Sequence, residues 1–171
     1  MDYIESGMDF SPLFENGKSV YIEKTQFRKS MGQRVRSVEF ISLFPGNKLY
    51  FIEAKTSVPD PNNSGENSRF YKELLEKMQH SLDSFISREI GVNEDVSSEF
   101  PECFNEYRLA NCEIKFLLII NNLKEEWCDA VLDILRRRLM PLRNIWKAKV
   151  VVMNFQQAHE IGLVKEVEME K

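Results

Sequence analysis

The chain has 171 residues, with 23 Lys+Arg against 27 Asp+Glu and a formal net charge of −4. An apolar fraction of 43% with 29% charged residues excludes global disorder, and the length predicts one domain spanning 1–171. The mild acidity excludes a polybasic protein that grips nucleic acid by bulk phosphate neutralisation, so any such contact needs a local basic patch.

Residues 1–17 show no sustained period and predict an irregular N-terminal arm. Residues 19–25, rich in β-branched and aromatic side chains, predict a strand, and 26–31 a short helix ending at Gly32. Two β-rich runs, 36–44 and 49–56, flank the turn Pro45-Gly46-Asn47-Lys48 and predict a hairpin. The breaker-rich stretch 57–68 predicts a loop, of a length often found in lids. If it gates a site it leaves the strand beside Lys55 and borders the cleft.

From 69 to 88, Phe70, Leu74, Leu75, Met78, Leu82, Phe85 and Ile86 recur at spacings of three and four, which predicts an amphipathic helix. Residues 91–101 read as an acidic loop, and 103–110 give no period. The apolar run 113–120 predicts a strand covered on both faces. A helix over 124–139 carries Trp127, Val131, Leu132 and Leu135 on one stripe, with Pro141 marking its end. A strand over 148–153 follows, then a helix over 155–161 capped by Asn154, and a frayed tail at 165–171. Trp127 and Trp146 are expected in the core.

Cys103, Cys112 and Cys128 are odd in number and lack C-x-x-C spacing, which fits buried, reduced thiols in a cytoplasmic protein. They form no zinc-finger spacing with His80 or His159. The acidic N-terminus does not read as a secretory signal. The longest apolar run, 116–120, is far shorter than the roughly 20 residues of a membrane span. A soluble protein without a membrane partner is expected.

Phosphate-loop, dinucleotide-turn, zinc-helix and nucleophile-elbow motifs are all absent from the sequence. What remains is Val38-Glu39-Phe40-Ile41, a tight turn, and Phe51-Ile52-Glu53-Ala54-Lys55. Glu53 and Lys55 lie two apart on a strand and share one face. Two carboxylates with a lysine beside them form a hard-oxygen site for Mg²⁺. A metal there polarises a phosphodiester and lowers the pKa of a bound water, while Lys55 orients that water or stabilises phosphoryl charge.

This pattern resembles the PD-(D/E)xK nucleases of the restriction-endonuclease-like fold: an acid on one strand (Glu39), a hairpin turn, then Glu53-Ala54-Lys55. The resemblance implies an α/β fold with a mixed sheet, built on a β-meander and hairpin core flanked by helices. It covers about the first 120 residues and leaves 124–171 as peripheral elaboration. It also implies Glu39, Glu53 and Lys55 as catalytic residues, and Glu39, Glu53 and Ala54 as ligands of Mg²⁺, with Mn²⁺ as a substitute.

Two departures stand out. The first acid is Glu rather than the usual Asp, and the N-terminal core helix is not evident, with Glu5 and Glu23 as stand-ins for its acid. The helical Gln of some members is matched by Gln79, which has Asp83 four residues on where they have Tyr.

Between Lys18 and Arg36, Lys18, Lys24, Arg28, Lys29, Arg34 and Arg36 face the single acid Glu23. Lys24, Arg28, Lys29, Arg34, Arg36 and Gln79 are therefore the expected contacts to nucleic acid, DNA in the first instance; a solvated charged face is the competing reading. The basic cluster Arg136, Arg137, Arg138 and Arg143 complements a helix C-terminus without any ligand. A second reading of the whole chain is a non-catalytic interaction protein that keeps the fold, and a homodimer fits either. Glu113-Ile114-Lys115 repeats the E-x-K triplet, and an edge-strand charge pair is the plain reading of such a triplet.

Everything then turns on hairpin register. A four-residue loop places Glu39 opposite Ala54, on the face away from Glu53 and Lys55. A three-residue loop, Pro45-Gly46-Asn47, places it opposite Glu53, and a five-residue loop opposite Lys55. The expectation is an odd loop or a compensating bulge, with the two carboxylates within about 5 Å of one another.

Overall fold

A computed structural model describes residues 3–167. The arm is not irregular throughout: β1 (Ile4–Glu5) pairs antiparallel with β2 (Met8–Asp9), and a 3₁₀ turn follows at Ser11–Phe14. The strand expected over 19–25 is only β3 (Ser19–Val20), because the chain coils into a 3₁₀ turn at Ile22–Lys24. Thr25 then caps α1 (Gln26–Ser30), its hydroxyl accepting from the Arg28 N–H.

The hairpin of β4 (Phe40–Phe44) and β5 (Lys48–Lys55) forms as expected. Asn63 caps α2 (Ser64–Glu89), which starts five residues earlier than its apolar period suggests and shortens the preceding loop. The polar residues 64–68 face solvent there, so the period carries no trace of them. A short α3 (Cys103–Glu106) precedes β6 (Glu113–Ile120) and α4 (Glu125–Arg138).

The helix stops at Arg138 with Leu139 as its C-cap, close to the end that Pro141 marked, but Pro141 also opens a further helix. That proline lies in the first turn of α5 (Met140–Trp146), where a missing N–H costs nothing. Then come β7 (Lys149–Asn154) and α6 (Phe155–Glu160), which Asn154 and Gln157 close with a reciprocal capping box. Among the described residues no helix is long and apolar enough to cross a membrane.

The sheet runs in the order β3-β4-β5-β6-β7. The first three strands form an antiparallel meander, and β6 and β7 add in parallel. Both faces are covered. On one, Ile41, Leu49, Phe51, Phe116, Leu118 and Val150 pack against Leu74, Met78, Leu82 and Phe85 of α2 and Val131 and Leu135 of α4. On the other, Phe40, Ile52, Ala54, Leu117 and Ile119 meet Met8, Phe10 and Leu13 of the arm and Ala158 of α6.

Several expectations need correction. Residues beyond 124 are core rather than peripheral, since β7 and α4 complete one layer. Lys165 is not frayed: it exchanges backbone hydrogen bonds with Asp9 at 3.1 and 2.9 Å; the rest of the expected frayed tail, from 168 on, lies outside the described residues. Trp127, in the first turn of α4, is 46% exposed, its indole N–H donating to the Glu126 carboxylate at 3.0 Å. Trp146 packs at the core edge. All three cysteines are free; Cys128 is buried, whereas Cys103 and Cys112 are half-buried.

The turn fixes the register. Phe44 pairs with Lys48 and Phe40 with Ile52, so the loop is the three residues Pro45-Gly46-Asn47. Gly46 and Asn47 both take positive φ, +80° and +55°. That conformation is open to Gly and tolerated by Asn, while a β-branched residue there is strained. Asn47→Gly is therefore expected to leave the urea midpoint nearly unchanged. Asn47→Val is expected to lower stability by about 1–2 kcal/mol.

Candidate functional site

Strand alternation sets the first part of the site. In β5, Leu49 and Phe51 point into the helix-covered face, so Glu53 and Lys55 continue that row at the C-terminal end of the strand. Glu39 lies one step before Phe40, whose partner is Ile52, and its N–H donates to the Ile52 carbonyl at 3.1 Å. The three-residue loop thus brings Glu39 beside Glu53 on one face.

A residue that the sequence reading passed over joins them. The Lys77 Nζ of α2 donates to Glu39 Oε1 at 3.1 Å and to Glu53 Oε1 at 2.9 Å. The Lys55 Nζ lies 2.9 Å from the same Glu53 oxygen. Glu53 has no solvent exposure and Glu39 only 5%, so these ammonium groups replace the water both carboxylates have lost. Burial would lower the Lys77 ammonium, but the charges of Glu53 and Glu39 outweigh it and hold its pKa above the ordinary range.

The sequence did contain a signal for Lys77. It falls three residues after Leu74, on the buried stripe of α2, where a lysine needs a buried acid. Ser81, four residues further on, is the other polar residue on that stripe; its Oγ accepts from the Val38 N–H at 2.8 Å and ties α2 to the chain just before Glu39.

Glu5 of the arm and Glu23 of the Ile22–Lys24 turn add a second group of acids. One oxygen or another from Glu5, Glu23 and Glu39 lies within 4.8 Å of the rest, an arrangement that could hold a metal ion. Glu5 is countered by Lys24 at 3.8 Å; burial still pushes its pKa up. Burial, then the neighbouring Glu23 carboxyl and the Glu53 charge, push Glu39 up to about 9 against the pull of Lys77. The Oε2 atoms of Glu39 and Glu53 are buried and have no hydrogen-bond donor. They are two hard-oxygen positions whose desolvation is uncompensated.

The remaining expected site residues separate. The Ala54 side chain is on the opposite face, in the arm-side core, so only its backbone could contribute. Gln79 is exposed, two positions and about 200° around α2 from Lys77. Arg36 is taken up by Glu73 and Glu76, both at 3.4 Å, and Arg28 donates to the Val35 carbonyl. Lys24 lies over the Tyr21 ring near Glu5, while Lys29 and Arg34 are exposed.

The second E-x-K triplet forms a half-buried pair network, Glu113 with Lys115 and the exposed Lys149 at 3.0 and 2.7 Å, and builds no site. No protein-family model, curated protein or solved structure matches this chain.

The raised Glu39 fixes a sign for stability. Between the ordinary value of 4.5 and about 9, the folded protein keeps a proton that the unfolded chain releases, so stability falls as pH rises through this window. In metal-free buffer the melting temperature is expected to decline from pH 5 to pH 9. Glu39→Gln, which imitates the protonated group, is expected to flatten that decline by a few °C, on the order of 1 kcal/mol or more.

Proposed function

We propose that the protein is a metal-dependent phosphodiesterase acting on nucleic acid, with a restriction-endonuclease-like core. The observation that carries this reading is the convergence of the Glu39 and Glu53 carboxylates on one cation position beside Lys55, at the C-terminal end of β5. The antiparallel meander followed by a parallel strand supports the fold assignment. So does the location, because open sheets bind ligands outside the carboxyl ends of their parallel strands.

The donor set fits Mg²⁺ or Mn²⁺. It offers hard carboxylate oxygens: the Oε1 atoms of Glu39 and Glu53 meet at a position already suited to positive charge, and both Oε2 atoms lie buried without a donor. Glu39 and Glu53 would hold the ion, with Glu5 and Glu23 adding negative charge from the arm side. Bound there, a divalent cation supplies Lewis-acid polarisation of a phosphodiester and makes a nearby water more acidic.

The chain's own groups do the rest. Lys55, held 2.9 Å from Glu53 and 24% exposed at its side chain, reaches the open end of the site and places an ammonium against phosphoryl charge. Lys29 and Arg34, exposed on the segment before β4, are the cations left to follow a phosphate backbone.

One observation favours a second reading, a non-catalytic interaction protein: Lys77 already fills the position between Glu39 and Glu53. The two readings separate by experiment. Under the first, Mn²⁺ at about 100 times its Kd is expected to raise the melting temperature by about 5 °C or more, and Glu53→Gln to abolish the shift. Hydrolysis of one or more of duplex, flap, junction or single-stranded DNA or RNA should follow. Lys55→Ala should lose about 10²-fold or more in rate while keeping the metal shift. No shift and no hydrolysis in the wild-type protein establish the second reading.

A further inference from the structure

Lys77 stands where the metal of the proposed site would bind. Its ammonium touches one oxygen of each carboxylate, at 3.1 Å from Glu39 and 2.9 Å from Glu53. Lys55 touches Glu53 alone, so of the two lysines only Lys77 bridges the pair. A divalent cation bound to both carboxylates at about 2.1 Å leaves no room for an ammonium on the same two oxygens. Like charges at such separation in a poorly hydrated site repel strongly.

The side chain has a way out. Lys77 is 14% exposed at its side chain, and its stem has four rotatable bonds. One turn toward the N-terminus of α2 stands Glu73, 38% exposed at its side chain, whose present partner Arg36, at 3.4 Å, also pairs with Glu76. A glutamate four residues before a lysine is the favourable order for a helical pair. Leaving the carboxylates therefore carries the ammonium to another acid at the surface rather than into an apolar wall.

We propose that Lys77 is a built-in competitor for the metal: it holds the place between Glu39 and Glu53 in the metal-free protein and leaves toward Glu73 when a divalent cation enters. The inference rests on the metal reading of the site. Its consequence is a protein whose carboxylates stay paired and ordered without metal, and which loads metal only where the cation is abundant enough to evict the lysine. Metal affinity is thereby set by a helix residue that is not itself a ligand.

The test is calorimetric titration of the full chain with Mn²⁺ at pH 8, using the wild type, Lys77→Met and Lys77→Arg. Lys77→Met removes the competing charge while keeping the stem, and is expected to bind Mn²⁺ at least 10-fold tighter. It should also melt lower than the wild type in chelator and gain a larger shift on adding Mn²⁺. Lys77→Arg keeps the charge with a fork that can donate to both carboxylates, and is expected to bind at least 3-fold more weakly; it stands as the arm of the test that does not depend on tolerating a lost charge.

Equal or weaker binding by Lys77→Met, with binding intact in the wild type, overturns the inference and makes Lys77 a fixed support of the ligands. So does Lys77→Arg binding as tightly as the wild type. Absence of Mn²⁺ binding in the wild type and in both variants overturns the metal reading and this inference together.

Discussion

A carboxylate with no exposure to water, as Glu53 is, persists in a protein only when other groups replace its hydration. Here the replacement comes from two lysines of different origin, Lys55 on the same strand and Lys77 on the helix that crosses it. That requirement ties the hairpin to α2: the hairpin brings Glu39 level with Glu53, and α2 must turn its Lys77 side inward. Glu5 of the arm and Glu23 of the Ile22–Lys24 turn crowd further acids against Glu39. Removing either lysine leaves buried negative charge less compensated, which costs far more than the loss of a surface pair.

The scaffold around this cluster is conventional in its physics. The sheet is apolar on both faces, and its central strands β5 and β6 are almost wholly buried. Alternation along them divides the core into a helix-covered half and a half covered by the arm and α6. The charged residues enter at the end of the strands, where the apolar rows stop. The core supplies rigidity, and the cluster sits where rigid strands meet the surface, as a site needing fixed geometry requires.

Lys77 gives the cluster its dual character. An ammonium between two acids makes the protein self-sufficient, and the same position suits an exchangeable cation. The uncompensated Oε2 atoms of Glu39 and Glu53 mark the direction in which that balance is incomplete. Burial is the first cause of the high pKa of Glu39, and the crowding of carboxylates around it adds to that, so it keeps its proton.

The sequence by itself determined the hairpin, the amphipathic helix, the buried strand 113–120 and the Asn154 cap, because each rests on local chemistry: turn residues, apolar period, continuous apolarity, a side-chain acceptor. It also reduced the pairing of Glu39 with Glu53 to a single variable, the length of the turn, since strand period leaves no other freedom. Tertiary structure alone decided the rest. It cut the expected 19–25 strand to Ser19–Val20 and coiled Ile22–Lys24 into a 3₁₀ turn, left Trp127 half exposed and drew Lys165 onto Asp9. It also separated Gln79 from the site and put Lys77 in its place. The apolar period fixes which face of α2 is buried, but which residues of β5 that face meets depends on how the whole helix packs, and the distance between Glu5 and Glu39 depends on where the arm folds back. Neither is encoded within reach of a local window, so contacts between residues this far apart in sequence appear only once the core has formed.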